Sequence, residues 1–466
     1  MNMLERVFYQ IPGYKVMMTA RIRGDVREDQ IMKAVRRTQR IHPLLRSRVV
    51  IDEVGNATFS DEDVGMVPVS FIPMRDEMHW YDAYVEAMPD LYEAHTRPLW
   101  NLIVIQGKEF SDLVLMASHV ITDGMSAVFV LRDLLLSCQD PDAPVQEQYP
   151  EEISRALPRS IMRSPKLRLG ALAARYFNFR WRRHPIRFND DDYRAMNDWF
   201  WKNNRYQAIF FELDGNDSRG LIEECHRQKV SINNAMIAAF VAARSELVGP
   251  FTGTGSHVVI PFDLRRHGTK PMGDTVSMCS GAIEVPLHYQ PDQSVWANAR
   301  KFQASVLKKV SKLDSTFLNL LYFDPNLLDA MSVFALPALT HPQQTGVTDN
   351  MRKLIAHKSN VAYKLVSGYV DKVPGTLSSN LGKLNIPQQY GDLTLDRVIL
   401  LPLLKTNTAL YMNGASIGTK MVFALSFGAT AMEDADQRLR QMTDIRTRAL
   451  HLLGIDRPES GERYSR

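Results

Sequence analysis

Between Ser154 and Phe188 the chain carries ten cations, Arg155, Arg159, Arg163, Lys166, Arg168, Arg175, Arg180, Arg182, Arg183 and Arg187, and no carboxylate. Charges without partners are costly to bury, so this segment is expected to lie largely at the surface and to separate two blocks of structure. Of a formal net charge of +4, these ten residues account for more than the whole, and the rest of the chain carries −6. Tyr176, Phe177, Phe179 and Trp181 are interleaved with the cations, and Asp190-Asp191-Asp192, expected as a solvated loop, ends the run.

Both flanking blocks mix strand and helix patterns. In the first, residues 15–23 read as a strand and 26–41 as a helix with Ile31, Val35 and Thr38 on one face. Residues 45–51 read as a strand, followed by a polar loop to about residue 65, and 100–106 with 112–119 as a hairpin. A helix is expected over 124–138. In the second block, strands are expected at 207–212, 257–262, 281–286, 408–412 and 421–426, and helices at 216–228, 232–247 and 434–453. The pattern predicts an α+β protein of two lobes: residues 1–152, a basic aromatic connector at 153–204, a second lobe at 205–454 and a flexible tail at 455–466. With 466 residues, 45% hydrophobic and 23% charged, the chain is long and apolar enough to bury the cores this requires.

Cys138, Cys225 and Cys279 are odd in number and widely spaced, encoding neither a disulfide framework nor a zinc site. With no signal-peptide pattern at the start, a reducing, cytoplasmic location is expected. The longest charge-free apolar stretch, residues 330–340, contains Pro337 and falls short of a membrane span, leaving peripheral membrane contact at most. The histidines show no metal-like clustering, and no phosphate-loop or dinucleotide fingerprint is present.

The sharpest local feature is Ser118-His119-Val120-Ile121-Thr122-Asp123-Gly124, with a histidine at a strand end, an aspartate four residues on and a glycine opening a helix. Neutral imidazole is a competent general base near pH 7. Asp123 can hold the loop by pairing with a cation from elsewhere. Gly124 lets a substrate approach the backbone, and free N–H groups at the helix start can stabilise an oxyanion. Ser126 is a further oxyanion-side candidate, against the simpler reading of a hydroxyl serving the helix backbone.

This segment resembles the HxxxD acyltransferase superfamily, which includes chloramphenicol acetyltransferase-like enzymes, condensation domains, polyketide-associated acyltransferases and wax ester synthases. The superfamily's first histidine is Ser118 here, a departure, but the second is present as His119. Further segments follow in matching order: His42-Pro43-Leu44-Leu45-Arg46, Arg97-Pro98-Leu99-Trp100, Ile232-Asn233-Asn234-Ala235, Ile260-Pro261-Phe262-Asp263-Leu264-Arg265 and the Ser379-Asn380-Leu381-Gly382 turn. The resemblance implies two chloramphenicol acetyltransferase-like lobes, each a mixed sheet with helices, and a tunnel between them with His119 near its middle. It implies His119 as general base, with no acyl-enzyme, and Asp123 paired with Arg265 to orient the loop. It also implies a coenzyme A or phosphopantetheine thioester as co-substrate, with no bound cofactor.

The expected function is therefore transfer of an acyl group from acyl-CoA or an acyl or peptidyl carrier protein to a small-molecule or lipid hydroxyl. Amide formation on carrier-bound aminoacyl substrates is one alternative, and a non-catalytic acyl- or carrier-binding module another. Apolar segments around residues 317–339 lean towards a hydrophobic acyl chain. The connector reads as a solvated crossover, as an attractor for donor phosphates through Arg180, Arg182 and Arg183, or as a contact for anionic lipid. Nucleic-acid binding lacks any module. Gly414-Ala415-Ser416-Ile417-Gly418 matches the serine-hydrolase pattern, but strand-like residues follow it where a nucleophile elbow needs a helix, so a hairpin turn is expected.

Overall fold

The computed structural model describes residues 1–213, 215–270, 272–311, 315–335, 348–356, 360–368, 374–401, 408–430 and 434–456. The first block supplies strands β1 (Lys15–Arg23), β2 (Arg48–Ile51), β3 (Ala57–Ser60), β4 (Val69–Pro73), β5 (Trp100–Gln106) and β6 (Phe110–Ser118). After the connector come β7 (Asn204–Leu213), β8 (His257–Asp263), β9 (Ser280–Pro286), β10 (Thr376–Lys383), β11 (Gln389–Tyr390), β12 (Leu393–Leu401), β13 (Leu410–Ile417) and β14 (Lys420–Thr430).

They form two six-stranded mixed sheets, in the orders β11-β12-β1-β6-β5-β4 and β7-β14-β13-β10-β8-β9. The short pair β2-β3 stands apart. The fold is the expected two-lobed α+β arrangement. Its strands do not divide at the connector, however: β11 and β12, from within residues 205–454, complete the first sheet, with β12 antiparallel to β1. The reason lies in the composition of β12. Leu395, Val398 and Leu400 pack into the core on one face, while Ile399 and Leu401 pack into a second cluster on the other. A strand apolar on both faces needs cover on both, and a place beside β1 provides it.

Local differences from the expected elements have simple causes. Pro43 opens a 3₁₀ turn, Pro43–Arg46, so the strand begins only at Arg48. The polar stretch after it folds back as β3 in register with β2. The Asp190–Asp192 triplet is the first turn of helix Asp190–Asn203, capped by Asn189. Carboxylates there face the positive helix end. The connector is itself helical, with Ile153–Ala156, Arg159–Met162 and Pro165–Trp181 preceding that helix.

Helix Glu28–Ile41 buries Ile31, Ala34, Val35 and Thr38 and packs on helix Gly124–Gln139 over the first sheet. In the second lobe helix Ile232–Leu247 is buried along most of its length, packed by helices Val295–Ser311 and Ala435–Leu452. The apolar stretch at 317–339 is described only to Ala335, and the tail from residue 457 lies outside the described residues. No helix among the described residues is long and apolar enough to cross a membrane.

Candidate active site

β6 runs into the interface between the sheets, and the chain turns sharply after it. Thr122 Oγ1 donates to Ser118 O at 2.7 Å and the Ile121 N–H donates to the same carbonyl at 3.1 Å. This turn carries His119. Asp123 is the N-cap of helix Gly124–Gln139, its Oδ1 accepting from the Ser126 N–H at 2.7 Å.

The His119 ring is fixed on two sides. Its Nδ1 lies 2.7 Å from Thr122 O, and since a carbonyl can only accept, Nδ1 carries the proton and Nε2 keeps its lone pair. Phe8 stacks on the ring, centroids 4.2 Å apart and planes inclined by 17°. Burial depresses the imidazole pKa below its usual 6.5, outweighing the Asp123 charge and the Thr122 bond, which raise it. This depression favours the neutral imidazole.

Asp123 faces away from the histidine's bonding edge. Its Oδ2 accepts from Arg265 Nη1 at 2.9 Å and from the Cys279 N–H at 2.9 Å. Burial pushes its carboxyl pKa up, but Arg265 and the two N–H donors outweigh this and hold it below the usual carboxylate value. Arg265, in the 3₁₀ turn Leu264–His267 that follows β8, reaches on to Thr275 O and Ser277 O, each at 3.0 Å. The pair the sequence led us to expect thus joins a loop of the first sheet to the second lobe.

His119, Asp123 and Gly124 line a cavity of about 280 Å³ between the sheets. Its walls are mainly apolar: Leu4, Val7 and Phe8 from the N-terminal segment, Phe317 and Leu320, and Leu400 and Leu401 of β12. Gly124 opens its helix at the wall, where the first N–H groups have no intrahelical acceptor. A β-carbon there would stand 2.9 Å from the Leu381 side chain. No group of residues suited to hold a metal occurs among the described residues.

Several sequence expectations need correction. Ser126 does not face the cavity: its hydroxyl donates to Ser277 O at 2.7 Å and accepts from Arg265 Nη2 at 2.7 Å, and its N–H serves Asp123. Both donors are spent, so it is no oxyanion group. Arg180, Arg182 and Arg183 are not part of the cavity wall. Their helix buries Leu167, Ala174 and Trp181 and turns these arginines outward, Arg182 onto Asp324 at 3.0 Å and Arg183 over the Phe179 ring. Ser379, Asn380 and Gly382 are within β10 rather than in a free turn. The turn character survives as an irregularity between Asn380 and Lys383, with Gly382 at φ +68° and its N–H donated to Asn380 Oδ1 at 2.7 Å. Ser379 lines the cavity. Ser416 is a strand residue paired with Met421, and only Gly418 of its motif takes the turn, at φ +57°.

Sequence reasoning missed Phe8, Tyr14 and Asn413. Asn413, on β13, lines the cavity while its Oδ1 is buried without a hydrogen-bond partner. No motif marked any of the three, although Asn413 immediately precedes the glycine-rich stretch that drew attention as a hydrolase pattern.

No family model matches the sequence, and no curated protein matches it either. Solved structures do resemble it along nearly its whole length. Trichothecene 15-O-acetyltransferase from Fusarium sporotrichioides superposes with a TM-score of 0.65 at 11% identity, covering 97% of this chain and 94% of that one. The first condensation domain of the calcium-dependent antibiotic synthetase gives 0.61 at 13%, covering 95% and 92%. Polyketide synthase associated protein 5 from Mycobacterium tuberculosis gives 0.56 at 13%, covering 96% of each chain. The chain shares the two-lobed α+β fold of these structures. At such identities the likeness is one of architecture.

Proposed function

We propose that the protein transfers an acyl group from a thioester, on coenzyme A or a carrier protein, to an acceptor hydroxyl. One observation carries this reading: a half-buried histidine with Nδ1 committed to Thr122 O, leaving Nε2 free to accept a proton, stands in a mainly apolar cavity between two lobes. His119 Nε2 takes the proton from the hydroxyl as its oxygen attacks the thioester carbonyl. The tetrahedral oxyanion is met by the N–H groups at the Gly124 helix start. Collapse breaks the C–S bond, and the imidazolium returns its proton to the departing thiolate, giving ester and free thiol. Asp123 and Arg265 act as positioning residues that hold the loop. The mainly apolar wall favours an acyl chain or acceptor with substantial hydrocarbon surface.

Thiol release from a panel of acyl-CoAs and carrier-bound acyl groups, offered alcohols and amines, tests the reading. Turnover with alcohols that drops about 10²–10⁴-fold in His119→Ala is expected, the usual worth of a positioned general base. Undiminished turnover in that variant would remove His119 from the chemistry, and turnover confined to amines would replace ester by amide formation.

A further inference from the structure

Helix Pro165–Trp181 has two faces of opposite character. Inward, Leu167, Ala174 and Trp181 are buried, and Gly170 sits against Asn319 so closely that a β-carbon would fall 2.0 Å from its Oδ1. Asn178 ties the same face down, Nδ2 donating to Tyr322 O at 2.8 Å and Oδ1 accepting from the Asp324 N–H at 2.9 Å. Outward, Leu169, Leu172, Tyr176 and Phe179 are 70%, 65%, 59% and 59% exposed. Their spacing of three, four and three residues sets them in a single stripe along the helix. With the inner face locked by Gly170, Asn178 and Trp181, the helix cannot roll to bury that stripe.

The surroundings of the stripe are cationic. All ten arginine and lysine residues from Arg155 to Arg187 are exposed, and no aspartate or glutamate occurs between Ile153 and Asn189. Among the described residues no carboxylate pairs with Arg168, Arg175, Arg180 or Arg183. Elsewhere among the described residues, exposed large apolar side chains such as Val54, Met66 and Leu136 lie far apart in the sequence, with Leu247 and Val248 the one adjacent pair.

We propose that this outer face docks on an anionic lipid bilayer, the four apolar side chains entering the headgroup–acyl boundary and the arginines reaching lipid phosphates. A cationic helix with an aliphatic and aromatic stripe has the composition of an interfacial helix, and long arginine stems can bury their methylenes while the guanidinium stays at the headgroups. An acidic protein partner would satisfy the charges, but a ridge of four large apolar side chains fits the lipid boundary better. The surface stands independently of the acyl-transfer reading. If that reading holds, placement matters: the inner face packs on segment Ser315–Tyr322, which gives Phe317 and Leu320 to the cavity, so only this helix and that segment would stand between bilayer and cavity.

Co-sedimentation of the full chain with vesicles tests the proposal. Binding to phosphatidylcholine vesicles containing phosphatidylglycerol, weakened by salt and absent with phosphatidylcholine alone, is expected. The combined variant Leu169→Ser, Leu172→Ser, Tyr176→Ser and Phe179→Ser, with unchanged charge, should lose more than about tenfold in partitioning, and each Arg→Gln change at 168, 175, 180 or 183 about fivefold. Since the replaced side chains are exposed, melting temperatures should not move. A Phe179→Trp probe, should the combined variant fold poorly, is expected to shift its emission to the blue with the anionic vesicles. Wild-type protein left in the supernatant, an undiminished serine variant or an unshifted probe would overturn the proposal. So would capture of an acidic carrier protein by this face without vesicle binding, which would reassign it to a protein partner.

Discussion

Two buried aspartate–arginine pairs hold the cavity from different sides. Asp123 and Arg265 lie 142 residues apart and join the loop after β6 to the second lobe. Arg6 and Asp329 lie 323 residues apart, and the two bonds between them, at 2.9 and 2.7 Å, join the N-terminal helix Met3–Arg6 to helix Pro325–Asp329. All four side chains are almost fully buried. Their connections differ. Arg265 spreads its donors over Asp123, the Ser126 hydroxyl and two carbonyls of residues 275–277, so it fixes the loop that carries His119. Arg6 gives both bonds to Asp329, whose remaining partner is Tyr193 OH at 2.9 Å, and what it fixes is the segment presenting Leu4, Val7 and Phe8 to the cavity. One pair positions the loop that bears His119; the other positions the wall around it.

The largest expected effects come from breaking either pair. Removing one partner leaves a buried charge uncompensated, so Asp123→Ala, Arg265→Ala and Arg6→Ala should each cost about 3–5 kcal/mol in denaturant unfolding. Activity should then separate them. Asp123→Ala and Arg265→Ala are expected to lower kcat, because the base loses its orientation, whereas Arg6→Ala should chiefly raise KM through the loosened wall. If steady-state kinetics show the same kcat and KM changes for both pairs, the division of roles fails.

A smaller effect appears in the pH profile. Only neutral His119 can accept a proton, and burial sets its pKa below 6.5, so the acid limb of kcat/KM should fall below pH 6.5. The Asp123 charge raises that pKa, so Asp123→Asn should carry the limb further towards acid, whereas Arg6→Ala should leave it in place. Stability follows the same sign. A histidine with a depressed pKa binds fewer protons folded than unfolded, so its neutral state stabilises the fold above about pH 6.5, and stability is lost as pH falls through 6.5 towards the depressed value. Asp123, also depressed, contributes above its unfolded pKa, and that contribution disappears as pH falls through its folded value.

The same comparison shows what the sequence can disclose. The Asp123 side was legible because its residues are in short segments with recognisable order, and Arg265 follows an equally compact strand end. Strands β1, β5 to β9, β13 and β14 and helices such as Gly124–Gln139 and Ile232–Leu247 followed from periodicity, since these elements bury one face or both, whereas β3, β4 and β10 were not expected. The Arg6–Asp329 pair carries no local mark: each residue is an ordinary charge in its own stretch, and only the tertiary fold brings them together. β12 was not expected as a strand at all, and its place beside β1 depends further on which edge remains open, a property of the assembled sheet. Ser126 and Arg180 misled because spacing places a residue near a site without saying where its donors are spent.

The smallest predicted effect concerns Phe8, the point where the two regions touch. Its ring covers one face of the His119 imidazole at 4.2 Å, and aromatic stacking is worth about 0.5–1.5 kcal/mol beyond the area it buries. Phe8→Leu preserves an apolar cover but removes the stacked plane, so unfolding stability should fall by about 0.5–1.5 kcal/mol. The ring also shields the imidazole from water. With less desolvation the His119 pKa should move back towards 6.5, and the acid limb of kcat/KM should shift upward, the opposite direction from Asp123→Asn. Measuring both variants by one pH–rate protocol sets the two regions against each other directly. Shifts of opposite sign are expected, whereas a Phe8→Leu profile superimposable on wild type would reduce Phe8 to a piece of the cavity wall.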